Sequence, residues 1–204
     1  MPTECLYINP GDQNFRDRVD NLATTPGYCV FVDITGSTEM KKEGLRKWIA
    51  FIHNCFSNAN LFLAPFAPLK GIGDELMYYI EDIDLQGYNA LQIYDGLWQT
   101  ATEQDSELFK DVKIVAARCQ NVYPITFIRG NRDYYGVDID LTARLKEKAV
   151  AKQVVIDSHF HGEITKCYAA AGNKEQFKSV RRLHGPEKSK FKGIPDDVTF
   201  YRGR

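Results

Sequence analysis

Tyr28-Cys29-Val30-Phe31-Val32-Asp33-Ile34-Thr35-Gly36-Ser37-Thr38 is the stretch whose reading decides the fold. It begins as an apolar run, Tyr28 to Val32, with the length and β-branched character of a buried strand. It closes on a carboxylate, a glycine and three hydroxyl side chains. A helical pattern follows, with Leu45, Trp48, Ile49, Ile52 and Phe56 on one face at helix spacing. A strand entering a helix through a small-residue turn leaves backbone N–H groups pointing out of the helix start, where they and the dipole suit a phosphate. Asp33, at the strand end beside that anion site, is placed for a divalent cation whose remaining positions substrate phosphates would fill. The same residues also read as an ordinary N-cap.

Around this stretch the sequence predicts the following order. Residues 1–27 form an N-terminal extension with turn signals at Asn9-Pro10-Gly11 and Thr25-Pro26-Gly27 and a short helix near Phe15 to Leu22. A strand over 28–34 leads to a helix over 39–63 that stops before Pro65. Leu69 to Ile80 reads as a hairpin about Gly73-Asp74. A second helix covers 86–104, with Ala90, Ile93, Tyr94, Leu97 and Ala101 inward. Strands are expected at 112–119 and 123–128. A third helix after Gly136 carries Val137, Leu141, Leu145 and Ala149 as its apolar stripe. A strand at 152–156 and a terminal strand pair ending at 198–201 complete the chain. Helices recur between strands, with hairpins present, so the expected class is an α/β (α+β) sandwich, ferredoxin-like in style, with a mixed sheet covered by helices.

The 204 residues are 44% hydrophobic with a net charge of −1, which gives no electrostatic footprint for nucleic acid or a membrane surface. No apolar run spans a bilayer and the start lacks a signal-peptide pattern. Five scattered cysteines without a CxxC pair argue against disulfides and zinc and for a reducing cytoplasm. His159 and His161, two positions apart, read as a solvated strand end rather than a metal pair.

Three further pieces carry chemistry. Asp74 follows Asp33 by 41 positions, at the tip of the expected neighbouring hairpin, and two strand-end aspartates can share a pair of divalent cations for phosphoryl transfer. Asp140 and Arg144 stand at i and i+4 on a helix. They read either as a surface ion pair or as a guanidinium that meets developing charge on phosphorus. Lys192, in Phe191-Lys192-Gly193-Ile194-Pro195, reads as solvated surface or as a phosphate contact.

Phe31 to Thr38, Lys70 to Asp74, Asp133 to Leu145 and Phe191 to Tyr201, in that order, resemble the four motif blocks of class III nucleotidyl cyclases. The resemblance implies that 28–204 is a catalytic domain. It makes Asp33 and Asp74 metal carboxylates, with the Ile34 carbonyl as a further ligand, for two divalent cations, Mn²⁺ or Mg²⁺. It gives Thr35, Gly36, Ser37, Thr38 and Lys192 to the triphosphate, Lys70, Asp133 and Tyr134 to the base, and Arg144 to the transition state. It implies a homodimer with composite sites, metals from one subunit and the Arg144 helix from the other.

Asp140 stands where the family usually has an asparagine that donates to the ribose; a carboxylate instead accepts from a sugar hydroxyl. Arg118 to Gly130 lacks the glycine-rich pattern usual before the third block and, with Tyr134 and Tyr135, brings aromatic bulk. This resembles the pyrimidine cyclases of bacterial Pycsar anti-phage systems and implies UTP, then CTP, as substrate. Lys70 with Asp133 is also the adenine-reading pair of adenylyl cyclases. A diguanylate cyclase and a catalytically silent nucleotide-binding domain are the remaining alternatives.

Overall fold

The structure, a computed structural model, describes residues 3–9, 11–63, 65–102 and 112–204. Pro10 of the first turn signal and positions 103–104 of the second expected helix lie outside them. The elements in chain order are β1 (Leu6–Tyr7), α1 (Phe15–Asp20), β2 (Gly27–Ile34), α2 (Ser37–Lys42), α3 (Leu45–Leu63), β3 (Lys70–Ile72), β4 (Glu75–Glu81) and α4 (Ala90–Thr102). There follow β5 (Val112–Cys119), β6 (Ile125–Thr126), α5 (Val137–Leu145), β7 (Gln153–Asp157), α6 (Ser158–Ala170), β8 (Leu183–Ser189) and β9 (Val198–Gly203).

The main sheet has seven strands in the order β3-β4-β2-β5-β7-β9-β8. β2 is central and pairs antiparallel with β4 (Asp33 opposite Glu75) and with β5 (Asp33 opposite Lys113). β5 and β7 run parallel, joined through α5. The run β2-α3-β3-β4-α4-β5 is the expected ferredoxin-like unit, and the rest of the sheet extends it.

Side-chain alternation along β2 divides the core. Tyr28, Val30, Val32 and Ile34 face a large cluster under α3, α4 and α6, with Tyr94, Leu97, Phe160 and Ile164 at its centre. Cys29 and Phe31 face a smaller cluster with Met77, Val115, Leu145 and Phe200, covered by α5 and the β8–β9 loop. By the same alternation, Asp33 and Glu75 belong to this second, thinly covered face.

Several sequence expectations are corrected. The helix expected over 39–63 is two helices, because Gly44 takes φ +120° between α2 and α3. The inward stripe of α3 is Phe51, Cys55, Ala59 and Leu63, while Leu45 and Ile49 are exposed. In α5, Thr142 and Leu145 are buried and Val137 is 68% exposed, so the apolar stripe is rotated away from the 137–141 line. The strand expected at 123–128 shrinks to β6, which pairs parallel with β1 outside the main sheet. His159 and His161 sit on α6, a helix capped by Asp157, whose carboxylate accepts from the His159 and Phe160 N–H groups. The sequence reading placed no helix there.

Candidate active site

Gly73 takes φ +65° at the β3–β4 turn, and this tight reversal brings Asp74 alongside the end of β2. The Ile34 N–H donates to the Asp74 carbonyl at 3.2 Å, so the turn carrying Asp74 is bonded to the strand carrying Asp33. Glu75 adds a third carboxyl. Burial pushes its pKa up, the charges of Asp33 and Asp74 push the same way, and Lys146 Nζ at 2.5 Å opposes them. Lys113 Nζ lies 3.1 Å from Asp33 Oδ2. The Asp74 side chain makes no hydrogen bond or ion pair with the described residues.

No three His, Cys, Asp or Glu side chains among the described residues form a ready metal cluster. Glu75 is held by Lys146 at 2.5 Å and Asp33 less closely by Lys113 at 3.1 Å, so a cation shared by Asp33 and Asp74 has to displace the Lys113 ammonium from Asp33. Two carboxylates without histidine or thiolate suit a hard cation such as Mg²⁺ or Mn²⁺ that takes its remaining oxygens from substrate and water.

α5 stands over the same face. Its start is fixed by the Asp138 carboxylate, which accepts from the Gln120 and Asn121 N–H groups at 2.7 and 3.0 Å. Gly136 is required there, since a Cβ would lie 2.4 Å from the Asn121 carbonyl oxygen. Asp140 and Arg144 therefore point away from the core, both exposed. They do not pair with each other, and neither side chain has a partner among the described residues. With Asp33, Lys113, Ala143, Lys146 and Glu147 they line a depression of about 470 Å³. An unpaired guanidinium is thus held beside the carboxylate end of β2.

The Thr35–Thr38 turn is less of an anion site than its sequence suggests. Gly36 has φ +75°, and the helix behind it, α2, is six residues long, so little dipole stands behind the turn. The Ser37 hydroxyl is buried and accepts from Trp48 Nε1 at 2.7 Å, which ties α2 to α3. Lys192 is exposed and unpaired among the described residues. Its neighbour Phe191 packs in the α5 cluster with Leu145 and Ala149, which seats the loop near the end of α5.

Lys70 and Asp133, which the resemblance gives to the base, form an ion pair in the structure. Lys70 Nζ donates to Asp133 Oδ1 and Oδ2 at 2.7 and 2.9 Å. Both line a cavity of about 610 Å³ with Phe66, Leu69, Thr126 and Ile128. Tyr134 also lines it, but its ring stacks on Tyr79 at 4.2 Å and its hydroxyl donates to Glu81. Phe127 and Tyr135 pack edge to face at 5.4 Å and do not line the cavity, so part of the aromatic bulk noted in the sequence lies outside it.

Sequence reasoning missed Lys113, Lys146, Glu75 and Glu81. Glu75 was within reach, directly after Asp74. The two lysines became visible only with the register of β5 and the end of α5.

Among solved structures, the chain superposes on adenylyl cyclase CyaB from P. aeruginosa with a TM-score of 0.70 at 15% identity, covering 90% of this chain and 96% of that one. Its fold is that of the class III cyclase catalytic domains. Guanylyl cyclase Cya2 matches at TM-score 0.63 and 16% identity, over 89% of this chain and 93% of the other. The guanylate cyclase domain of RhGC from Catenaria anguillulae, solved with GTP, matches at 0.67 and 12%, over 89% and 97%. No protein-family model and no curated protein matches the sequence. Identities this low establish shared architecture, and no helix among the described residues is long and apolar enough to cross a membrane.

Proposed function

We propose that this chain is a homodimeric nucleotidyl cyclase that converts a nucleoside triphosphate, UTP first, into its 3′,5′-cyclic monophosphate and pyrophosphate. The observation that carries the proposal is the joining of Asp33 and Asp74 at adjoining strand ends through the 3.2 Å Ile34–Asp74 bond, on a fold shared with adenylyl and guanylyl cyclases. Asp33, Asp74 and the Ile34 carbonyl would hold two Mg²⁺ or Mn²⁺ ions. Such ions lower the pKa of an attacking hydroxyl and offset charge on a triphosphate.

The chain's own groups then divide the work. Lys70 donates to a base carbonyl or ring nitrogen, and Asp133 accepts from a base N–H; their mutual bond orients both before substrate arrives. Asp140 accepts from a ribose hydroxyl. As the 3′-oxygen bonds to the α-phosphorus, the bond from that phosphorus to the pyrophosphate oxygen breaks and the 3′-hydroxyl proton is released. Arg144, with no partner to leave among the described residues, meets the charge that builds on the phosphoryl oxygens. Lys192 and the Thr35–Thr38 turn meet the β- and γ-phosphates. In the dimer, one subunit brings the carboxylates and the other brings α5.

The pyrimidine preference rests on the resemblance to the pyrimidine cyclases, with Tyr134, of the aromatic side chains that carry it, lining the cavity beside Lys70, and the resemblance would make the product an alarm signal in anti-phage defence. ATP is the second reading, because the Lys70–Asp133 pair also resembles the adenine-reading pair of adenylyl cyclases and adenine offers an acceptor and a donor to match it, as the other bases also do. Incubation with Mn²⁺ and each of ATP, GTP, CTP and UTP, followed by mass spectrometry, tests both. Cyclic UMP as the main product supports the first. Cyclic AMP as the main product supports the second, and no cyclic product from a folded dimer refutes both.

A further inference from the structure

We propose that the segment Thr3–Ile8 is a built-in clamp on the base-reading loop, and that Glu81 is the positioning residue through which it acts. This rests on the base-pocket role given above to Lys70 and Asp133. The loop in question, residues 122–134, forms one wall of the 610 Å³ cavity through Thr126, Ile128, Arg132, Asp133 and Tyr134. It has little regular structure of its own, only the two residues of β6 and a bridge from Tyr123 to Tyr135. A loop of this kind needs outside bonds to hold a side chain in one place.

The Thr25 N–H supplies one, to the Val122 carbonyl at 2.7 Å, and the N-terminal segment supplies further ones. Leu6 N–H donates to the Pro124 carbonyl at 2.8 Å and Ile8 N–H to the Thr126 carbonyl at 2.9 Å. Ile8 is buried, so the segment is packed down rather than lying loosely. Farther along the loop, Cys5 Sγ contacts the Asp133 carbonyl at 3.4 Å, on the residue whose carboxylate meets Lys70.

Glu81 joins the two limbs. It is fully buried at the end of β4. Its carboxylate accepts from the Thr3 N–H at 3.3 Å and from the Thr3 hydroxyl, and from the Tyr134 hydroxyl and Arg132 at 2.7 Å. The donors thus come from the N-terminal segment on one side and the base loop on the other. Tyr134 in turn stacks on Tyr79, and its N–H donates to Asp133 Oδ1 at 2.9 Å. Replacing Thr3 by valine keeps its N–H but strips a buried carboxylate of the hydroxyl hydrogen bond, which frees Arg132 and Tyr134 to shift toward water. Among the described residues Thr3 makes no direct hydrogen bond or ion pair to Asp33, Asp74 or Arg144; its bonds go to Glu81, behind the base loop, so the clamp acts on base selection and not on ring closure.

The test is Thr3→Val in the full chain, with Thr3→Ser as the conservative control. Hydrogen exchange of the 122–134 amides is read first, since it needs no activity. Exchange at least tenfold faster in Thr3→Val, with wild-type rates in Thr3→Ser and an unchanged melting profile for the main sheet, supports the clamp. Unchanged exchange in that loop overturns it. In steady-state assays the clamp gives Thr3→Val a five- to tenfold higher KM for the preferred nucleotide, poorer discrimination between bases and a kcat within twofold of wild type. A fall in kcat at constant KM contradicts it. A wild-type protein that forms no cyclic product, while the exchange result holds, refutes the cyclase reading and leaves the clamp standing.

Discussion

Lys113 Nζ lies 3.1 Å from Asp33 Oδ2, on the strand next to β2 and directly across from it in register. The lysine balances the charge of the carboxylate proposed to hold a divalent cation, and both side chains are about three-quarters shielded. Lys113 therefore competes with the cation for Asp33. Lys113→Met is expected to bind Mn²⁺ several-fold more tightly in calorimetry, with stability changed by about 1 kcal/mol or less, as for a partly exposed pair. Unchanged Mn²⁺ affinity would show that the lysine does not oppose cation entry.

Arg144 and Asp33 line one depression within a single chain, while the dimer proposal has them serve different sites. Asp33→Ala and Arg144→Ala are each expected to abolish product. Mixing the two, once subunit exchange is shown by labelled heterodimers, is expected to restore up to a quarter of wild-type activity, because one of the two sites in a heterodimer is intact. No recovery in proven heterodimers places Arg144 and Asp33 of the same chain in one site.

The bidentate Lys70–Asp133 pair sets base choice by charge-assisted hydrogen bonds, each worth roughly 1.5–3 kcal/mol. Lys70→Met is expected to lower kcat/KM for the preferred nucleotide by about 10- to 100-fold, mostly in KM, and to compress the differences among the four bases. Selectivity unchanged within twofold would remove the pair from base reading.

Burial pushes the Glu81 carboxyl up, but hydrogen bonds from Thr3 and Tyr134 and the charge of Arg132 outweigh it and hold the pKa below the ordinary 4.5. A lowered carboxylate contributes stability that is present above its unfolded value and lost as pH falls through its folded one. Unfolding free energy measured by urea titration between pH 6 and pH 3 is therefore expected to drop less in Glu81→Gln than in wild type, with the difference confined below about pH 5. Parallel curves would mean that Glu81 gains nothing from ionisation in the folded state.

Phe160 is fully buried on α6 and meets the Tyr28 ring at 4.9 Å. Phe160→Ala is expected to cost about 3–5 kcal/mol in chemical denaturation, the range for deleting a core aromatic. A loss under 1 kcal/mol would place α6 outside the cooperative core.

The sheet centre was legible because β2, β4 and β5 are strongly apolar runs bounded by turn residues, and their limits were met within a residue or two. The Gly73-Asp74 hairpin was legible for the same reason, since a short hairpin leaves few alternatives; the nearness of Lys70 to Asp133, 63 positions on, was implied only by the family resemblance. α6 was not. Ser158-His159-Phe160-His161-Gly162 has poor helix formers in its first turn, and the helix exists because Asp157 caps it and Phe160 and Ile164 bury one edge. The faces of α3 and α5 were misjudged because several apolar stripes fit one helix, and only packing against the sheet chooses among them. Glu81 was illegible because its partners, Thr3 and Tyr134, are 78 and 53 positions away.

The central claim is that Asp33 and Asp74 together drive closure of the cyclic nucleotide. It is tested most directly by mass spectrometry of the products that wild type, Asp33→Asn and Asp74→Asn form from the four nucleoside triphosphates with Mn²⁺. A 3′,5′-cyclic nucleotide from wild type, reduced by at least a thousandfold in each variant with the fold intact by circular dichroism, is the expected result. Cyclic product from either variant at near wild-type rate would contradict it.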